Sequence, residues 1–324
     1  MTKQRVLIIG ATGFVGKNLV LEMASRSHVT IFARPTSDID LFKHNRNITV
    51  CLGDLESGEG LRLALHAVDI VIHCAARTMA RSYWDYYRTN ALGTANLLEA
   101  MRAARVRKIL YISSHAACGP GRDNNPVQEH ESQKPVSFYG RTKKLAEEMI
   151  VRSGLSYTIV RPASVYGPHD KEILAYVRLL NNGICPLVGF GPKYLNLIYV
   201  RDLVDLIADI VRRDLFADRI YFAHDGRCYL LESALDTISR ALDKKSIKIR
   251  IPSSIAMLIG LLNDVLLPSG MKIIPRDKVR ELACPYWVCS TERAVEDIGF
   301  RPRYTFERGI LETIDWYRKH GLLG

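Results

Sequence analysis

The chain of 324 residues is 48% hydrophobic and 24% charged, and its 45 Lys and Arg against 34 Asp and Glu leave a formal charge of +11. That length fits one large α/β domain or two domains, and the balance of residue types excludes a disordered, collagen-like or disulfide-built chain. The positive excess points to an anionic partner, a condition that nucleic acid, an acidic membrane surface or a phosphorylated cofactor would each satisfy.

Seven cysteines are scattered without a CxxC pair, which predicts free thiols in a reducing compartment and no metal site. Residues 1–5 run straight into an apolar strand with no secretory h-region. The longest apolar stretch, 255–267, is interrupted by Asn263 and Asp264 and is too short to span a bilayer. A soluble, cytoplasmic protein is expected.

Taken along the chain, short runs rich in β-branched residues predict strands at 5–9, 29–33, 48–52, 70–73, 109–112 and 157–160. Their hydrophobicity is continuous rather than alternating, as in a parallel sheet covered on both faces. After the first strand, Val15, Leu19 and Met23 fall four apart, the stripe of a helix packed on that sheet. Alternating strands and helices of this length predict a Rossmann-type doubly wound α/β fold. From Tyr166 the pattern loses regularity. The expected organisation is a dinucleotide-binding domain over 1–165, to which about 195–225 returns, with 166–324 mainly a smaller, irregular α/β substrate domain.

The first strand leads into Gly10-Ala11-Thr12-Gly13-Phe14-Val15-Gly16. Glycines between a strand and a helix allow a tight turn, close backbone approach to a pyrophosphate and close helix–strand packing, and the helix N-terminus offers free N–H groups to the anion. The residue that ends the second strand selects the cofactor. An acidic side chain there binds a ribose 2′-hydroxyl, whereas Arg accommodates a 2′-phosphate. Here it is Arg34, and Asp38 and Asp40 come too late, so NADP(H) is favoured, with NAD(H) the alternative.

Further on, Tyr139-Gly140-Arg141-Thr142-Lys143 sets Tyr139 and Lys143 four apart, on one face of a helix. A free phenol titrates near ~10, and a neighbouring ammonium favours the phenolate. Such a Tyr serves as acid or base at a substrate oxygen, and Lys143 would hold the nicotinamide ribose.

The GxxGxxG spacing, followed in order by strand-end serines and YxxxK, resembles the extended branch of the short-chain dehydrogenase/reductase superfamily. That branch includes nucleotide-sugar epimerases, dehydratases and 3-beta-hydroxysteroid dehydrogenases, and the resemblance covers nearly the whole chain. It implies that Asp54, beside Leu55, accepts from the adenine amino group. It also implies that Cys74, Ala75 and Ala76 let the cofactor lie close to the backbone and that Pro162 borders it. Asn90 would hold the active-site helix and a water. The catalytic hydroxyl, five residues before Gly119, would be Ser114 rather than Ser113.

On the substrate side the resemblance offers His115, Ser164, Tyr166 and Trp287. Ser164 stands where many sugar-nucleotide enzymes carry Asn, and Cys118 replaces a common Tyr. Segments 251–267 and 278–290 would form an apolar wall, implying a small-molecule substrate that is bulky and apolar. The reaction implied is ketone–alcohol interconversion by hydride transfer, with a nucleotide-sugar epimerase or dehydratase holding NAD tightly as the alternative. A homodimer through the helices of Asn90 and Tyr139 is expected. No nucleic-acid-binding signature is present.

Overall fold

In this computed structural model, which describes residues 4–266 and 275–323, the predicted strands form within a residue or two of their expected bounds. They are β1 (Arg5–Ile9), β2 (His28–Ala33), β3 (Ile48–Leu52), β4 (Ile70–His73), β5 (Lys108–Ile112) and β6 (Ser156–Pro162). Between them run helices α1 (Phe14–Ala24), α2 (Leu61–Ala64), α3 (Tyr83–Tyr87), α4 (Gly93–Ala103) and α5 (Phe138–Val151). The later part adds β7 (Ser164–Tyr166), α6 (Lys171–Asn181), β8 (Ile184–Val188), β9 (Tyr194–Leu195), β10 (Leu197–Tyr199), α7 (Val200–Arg212) and β11 (Arg219–Ala223). It closes with β12 (Tyr229–Leu230), α8 (Leu231–Ala241), β13 (Ile247–Ile251), α9 (Ser253–Leu266), α10 (Arg276–Ala283), β14 (Tyr286–Trp287), α11 (Glu292–Ile298) and α12 (Phe306–Lys319). Leu267, the last residue of the apolar stretch, and residues 1–3 lie outside the described residues.

A seven-stranded sheet runs in the order β11-β6-β5-β4-β1-β2-β3, and every neighbouring pair is parallel. Alternation within each strand feeds two cores. Val6, Ile8, Ile31, Ile72 and Leu110 face Leu19 and Met23 of α1 and Leu203, Ile207 and Ile210 of α7. Leu7, Ile9, Val71, Ile109 and Ile159 face Leu97 and Met101 of α4 and Ala146 and Ile150 of α5. Because both faces are covered, hydrophobicity along the strands is continuous, and each fully buried Val, Leu or Ile contributes about 1.5–3 kcal/mol. The strand order reverses at β1. The crevice outside the carboxyl ends of β1 and β4 is therefore where a sheet of this kind takes its ligand.

A third core gathers α6, α8 and α12 around Tyr166, Leu187, Leu197, Tyr199, Phe306 and Ile310. Short sheets β10-β7, β12-β9-β14 and β13-β8 frame it. Helix α7 packs in the core that holds α1, and β11 forms one edge of the seven-stranded sheet. Ala294 and Ile298 of α11, with Phe300, are buried in the same core as α1 and α7.

Candidate active site

The glycine loop has the geometry its residues require. Gly10 has φ +91°, and a Cβ there would fall 2.4 Å from Ala75 N; a Cβ on Gly16 would fall 2.1 Å from Gly10 O. Neither position admits a side chain. Gly13 is exposed and no side chain caps α1, so the first N–H groups of the helix, beginning at Phe14 and Val15, have no capping acceptor. Thr12 is half-buried beside them. An uncapped helix start behind a loop stripped of side chains fits a pyrophosphate. Around it, Cys74 Sγ donates to Ile9 O at 3.1 Å, Ala75 and Ala76 are half-buried, and Pro162 is buried in register with Ala223. Arg34, at the carboxyl end of β2, is exposed.

Asp54 caps its own turn, with Oδ1 accepting from Glu56 N at 2.6 Å and Ser57 N at 3.3 Å. The Leu55 side chain is buried in the core and lies where a Cβ on Gly93 would touch it, at 2.8 Å.

Ser114 and Tyr139 meet at the carboxyl end of β5. Ser137 caps α5 by accepting from Gly140 N at 3.0 Å, which starts the helix just ahead of Tyr139. A Cβ on Gly140 would fall 2.2 Å from Ala116 O, so the start of α5 lies against the segment that follows Ser114. The Ser114 oxygen accepts from Ala116 N at 3.1 Å, which leaves the hydroxyl hydrogen to be donated. One turn on, Lys143 is almost fully buried, donates from Nζ to Ile112 O at 2.6 Å and lies 4.1 Å from the centre of the Tyr111 ring.

Burial pushes the Tyr139 phenol above its ordinary value and Glu281 adds to this, while the Ser114 hydroxyl and Lys278 oppose it. Burial also pulls Lys143 down to about 7, against Glu147 and Cys74. Desolvation costs each charged form more than the neighbouring charges return. An anionic or hydroxyl-bearing ligand beside these groups has both shifts to reverse.

Asn90 lies in a π-helical turn, Arg88–Leu92, where the widened backbone turns its amide inward. Nδ2 donates to Thr142 Oγ1 at 3.0 Å and to Arg77 O at 3.2 Å, and Oδ1 accepts from Arg77 N at 2.7 Å. Asn90 therefore ties α5 to the segment after β4. Beneath the site, Glu147 of α5 forms a buried pair with Arg161 of β6 at 2.7 Å, and Gln133 donates to the same carboxylate.

Of the substrate candidates, His115 is buried, with its ring centre 5.3 Å from those of Phe222 and Trp287; its Nε2 has no partner, and burial pulls its pKa down to about 3. Trp287 is half-buried and donates from Nε1 to Glu281 O at 2.9 Å. Ser164 is exposed on β7. Tyr166 is fully buried in the third core, against Phe306, Tyr199 and Gly309.

Sequence reasoning missed Asp277 and Glu281 of α10. Asp277 accepts from Phe138 N at 2.7 Å and Tyr139 N at 3.1 Å, and Ser137 Oγ donates to Glu281 at 2.6 Å. Only Ser137 left a local signal; the carboxylates come from nearly half the chain away. Among the described residues no cluster of three or more His, Cys, Asp or Glu is placed to hold a metal ion, and no helix is long and apolar enough to cross a membrane.

With this geometry established, comparison with known proteins defines the class. The model of the NAD dependent epimerase/dehydratase family matches residues 6–221. The chain belongs to that family, within the extended short-chain dehydrogenase/reductase superfamily, and is an enzyme of an NAD(P)-dependent kind. It is similar to the UDP-glucose 4-epimerase of Vibrio cholerae, 25% identical over 321 residues that cover 95% of this chain and 94% of that protein. It is similar in the same degree to the human decarboxylating sterol-4-alpha-carboxylate 3-dehydrogenase, 26% identical over 338 residues covering 97% and 88%. Its fold is shared by the Thermus thermophilus UDP-glucose 4-epimerase, solved in complex with NAD, at a TM-score of 0.79 and 23% identity over 97% of this chain and 99% of that one.

Proposed function

We propose that this chain is an NADP(H)-dependent oxidoreductase that interconverts a ketone and a secondary alcohol. The observation that carries the reading is the close approach of α5 to the end of β5, which brings the turn holding Tyr139 and Lys143 against the segment that begins at Ser114. In this reading Ser114, its oxygen already engaged by Ala116 N, donates its hydrogen to the substrate oxygen and fixes that atom beside Tyr139. Tyr139 gives its proton to that oxygen in reduction and takes it back in oxidation. Lys143, poised near neutrality, holds a ribose hydroxyl and, once charged, favours the phenolate. Asn90 keeps α5 in register through Thr142. The nicotinamide, when bound, supplies or accepts the hydride at the carbinol carbon.

Arg34 favours a 2′-phosphate, since it stands exposed at the strand end where an acidic residue would select NAD. Net oxidoreduction of an apolar substrate is supported by Ser164 in place of Asn and by the likeness to the sterol dehydrogenase. The second reading, a nucleotide-sugar epimerase or dehydratase with tightly held NAD, draws on the family match and the likeness to the Vibrio enzyme. A homodimer through α4 and α5 is part of either reading. The nucleotide released by denaturing the purified protein separates them: an empty or NADP-bearing protein that needs added cofactor for turnover supports the first, and stoichiometric NAD with turnover in its absence overturns it.

A further inference from the structure

We propose that the exposed face of α9 docks on an anionic lipid bilayer. Helix α9 buries the side that carries Ala256, Gly260 and Asn263; a Cβ on Gly260 would fall 2.9 Å from the Cα of Arg276, the first residue of α10. The opposite side sets Ile255, Leu258, Ile259 and Leu262 at the i, i+3, i+4, i+7 spacing of one helical stripe, and they are 49%, 55%, 53% and 48% exposed. A helix packed on a protein core and otherwise facing water carries polar residues there. Phe190, 67% exposed, lies at the start of the same helix. Its carbonyl accepts from Arg250, and its neighbour Gly189 would carry a Cβ 3.4 Å from Ser253 Oγ.

Charge identifies the occupant. Lys244 and Lys245 are exposed in the segment leading to β13, and Arg276 is exposed where α10 meets α9. Ile247 and Ile249 are exposed on alternate positions of β13, the strand that leads into α9, while Lys248 and Arg250 pair with Glu232 of α8. An apolar stripe on a helix flanked along the chain by exposed Lys244, Lys245 and Arg276, in a chain of net charge +11, fits the acyl boundary and negative headgroups of an anionic bilayer. A second copy in a two-fold pair would instead set an identical basic rim against this one. Since no helix among the described residues is long and apolar enough to cross a membrane, the docking mode is a helix lying in the interface.

The surface and its test are independent of the reaction proposed above. The full chain is sedimented with vesicles of phosphatidylcholine alone and of phosphatidylcholine mixed with phosphatidylglycerol. The expected result is co-sedimentation with the anionic vesicles only, weakened by salt, and reduced roughly ten-fold or more by joint Leu258→Glu and Ile259→Glu or by joint Lys244→Glu and Lys245→Glu. Leu258→Trp, which keeps the face apolar, should show a blue-shifted emission on the same vesicles and carries the test if the glutamate variant fails to fold. Wild-type protein left in the supernatant, a folded Leu258→Glu and Ile259→Glu variant that binds as the wild type does, or a dimer dissolved by those substitutions with no vesicle binding would each overturn the proposal.

Discussion

The carboxylate of Asp277 reaches the start of α5 and accepts a hydrogen bond from the backbone N–H of Tyr139 at 3.1 Å. It accepts from Phe138 N as well, so one buried side chain satisfies two of the N–H groups that a helix start leaves unpaired, with a negative charge at the positive end of the helix dipole. Helix α10 thus fixes the residue proposed to transfer the proton. Asp277→Ala is expected to cost about 1–2 kcal/mol in denaturant unfolding and to speed amide exchange at Phe138 and Tyr139. Asp277→Asn should recover part of both. Unchanged exchange at these two amides would show that the cap does not hold the helix start.

The cofactor preference is expected to reside in Arg34. Charge-assisted hydrogen bonds contribute about 1.5–3 kcal/mol, so Arg34→Ala should weaken NADPH binding by roughly ten-fold to a hundred-fold and leave NADH binding nearly unchanged. Fluorescence titration with each nucleotide measures this directly, and equal losses for both would place the 2′-phosphate elsewhere.

Lys143 gives stability a defined pH dependence. Its folded value is about 7, while the unfolded side chain titrates near ~10.4. Between these values the unfolded chain binds more protons than the folded one, so stability rises with pH across that window. Relative to Lys143→Met, the wild type should gain roughly 1–4 kcal/mol between neutrality and the unfolded pKa. A difference that stays flat with pH would mean that Lys143 keeps its charge in the fold.

The buried pair of Glu147 and Arg161 joins α5 to β6, with both side chains only 3% exposed. Removing one partner strands the other charge, so Glu147→Gln or Arg161→Met should each cost about 3–5 kcal/mol. The double substitution should cost less than the two singles together, and additive losses in the double-mutant cycle would show that the pair is not coupled.

The sheet was legible because each buried strand writes its own signal. Continuous β-branched runs predicted β1 to β6, and the stripe of Leu19 and Met23 predicted the face of α1 that packs on them. The glycine loop was legible for the same reason: its geometry depends on residues within one turn of chain. Tertiary context could not be read this way. Tyr166 belongs to a motif that leads toward the substrate region, yet its ring is enclosed by Phe306 and Tyr199 from separate segments. The π-helical turn at Asn90 and the cap from Asp277 carry no periodicity, since one is a local widening and the other joins residues 138 positions apart. The expected effect on Tyr139 took Lys143 as a charged ammonium, whereas burial dominates both groups in the fold.

The most direct test of the central claim is to follow nicotinamide absorbance with NADPH and a panel of sterol, acyl and nucleotide-sugar ketones, using wild type and Tyr139→Phe. Stoichiometric loss of NADPH with an apolar ketone, abolished by Tyr139→Phe while NADPH still binds, is the expected result. Conversion of a nucleotide sugar with no net change in absorbance, or an unchanged rate in Tyr139→Phe, would contradict it.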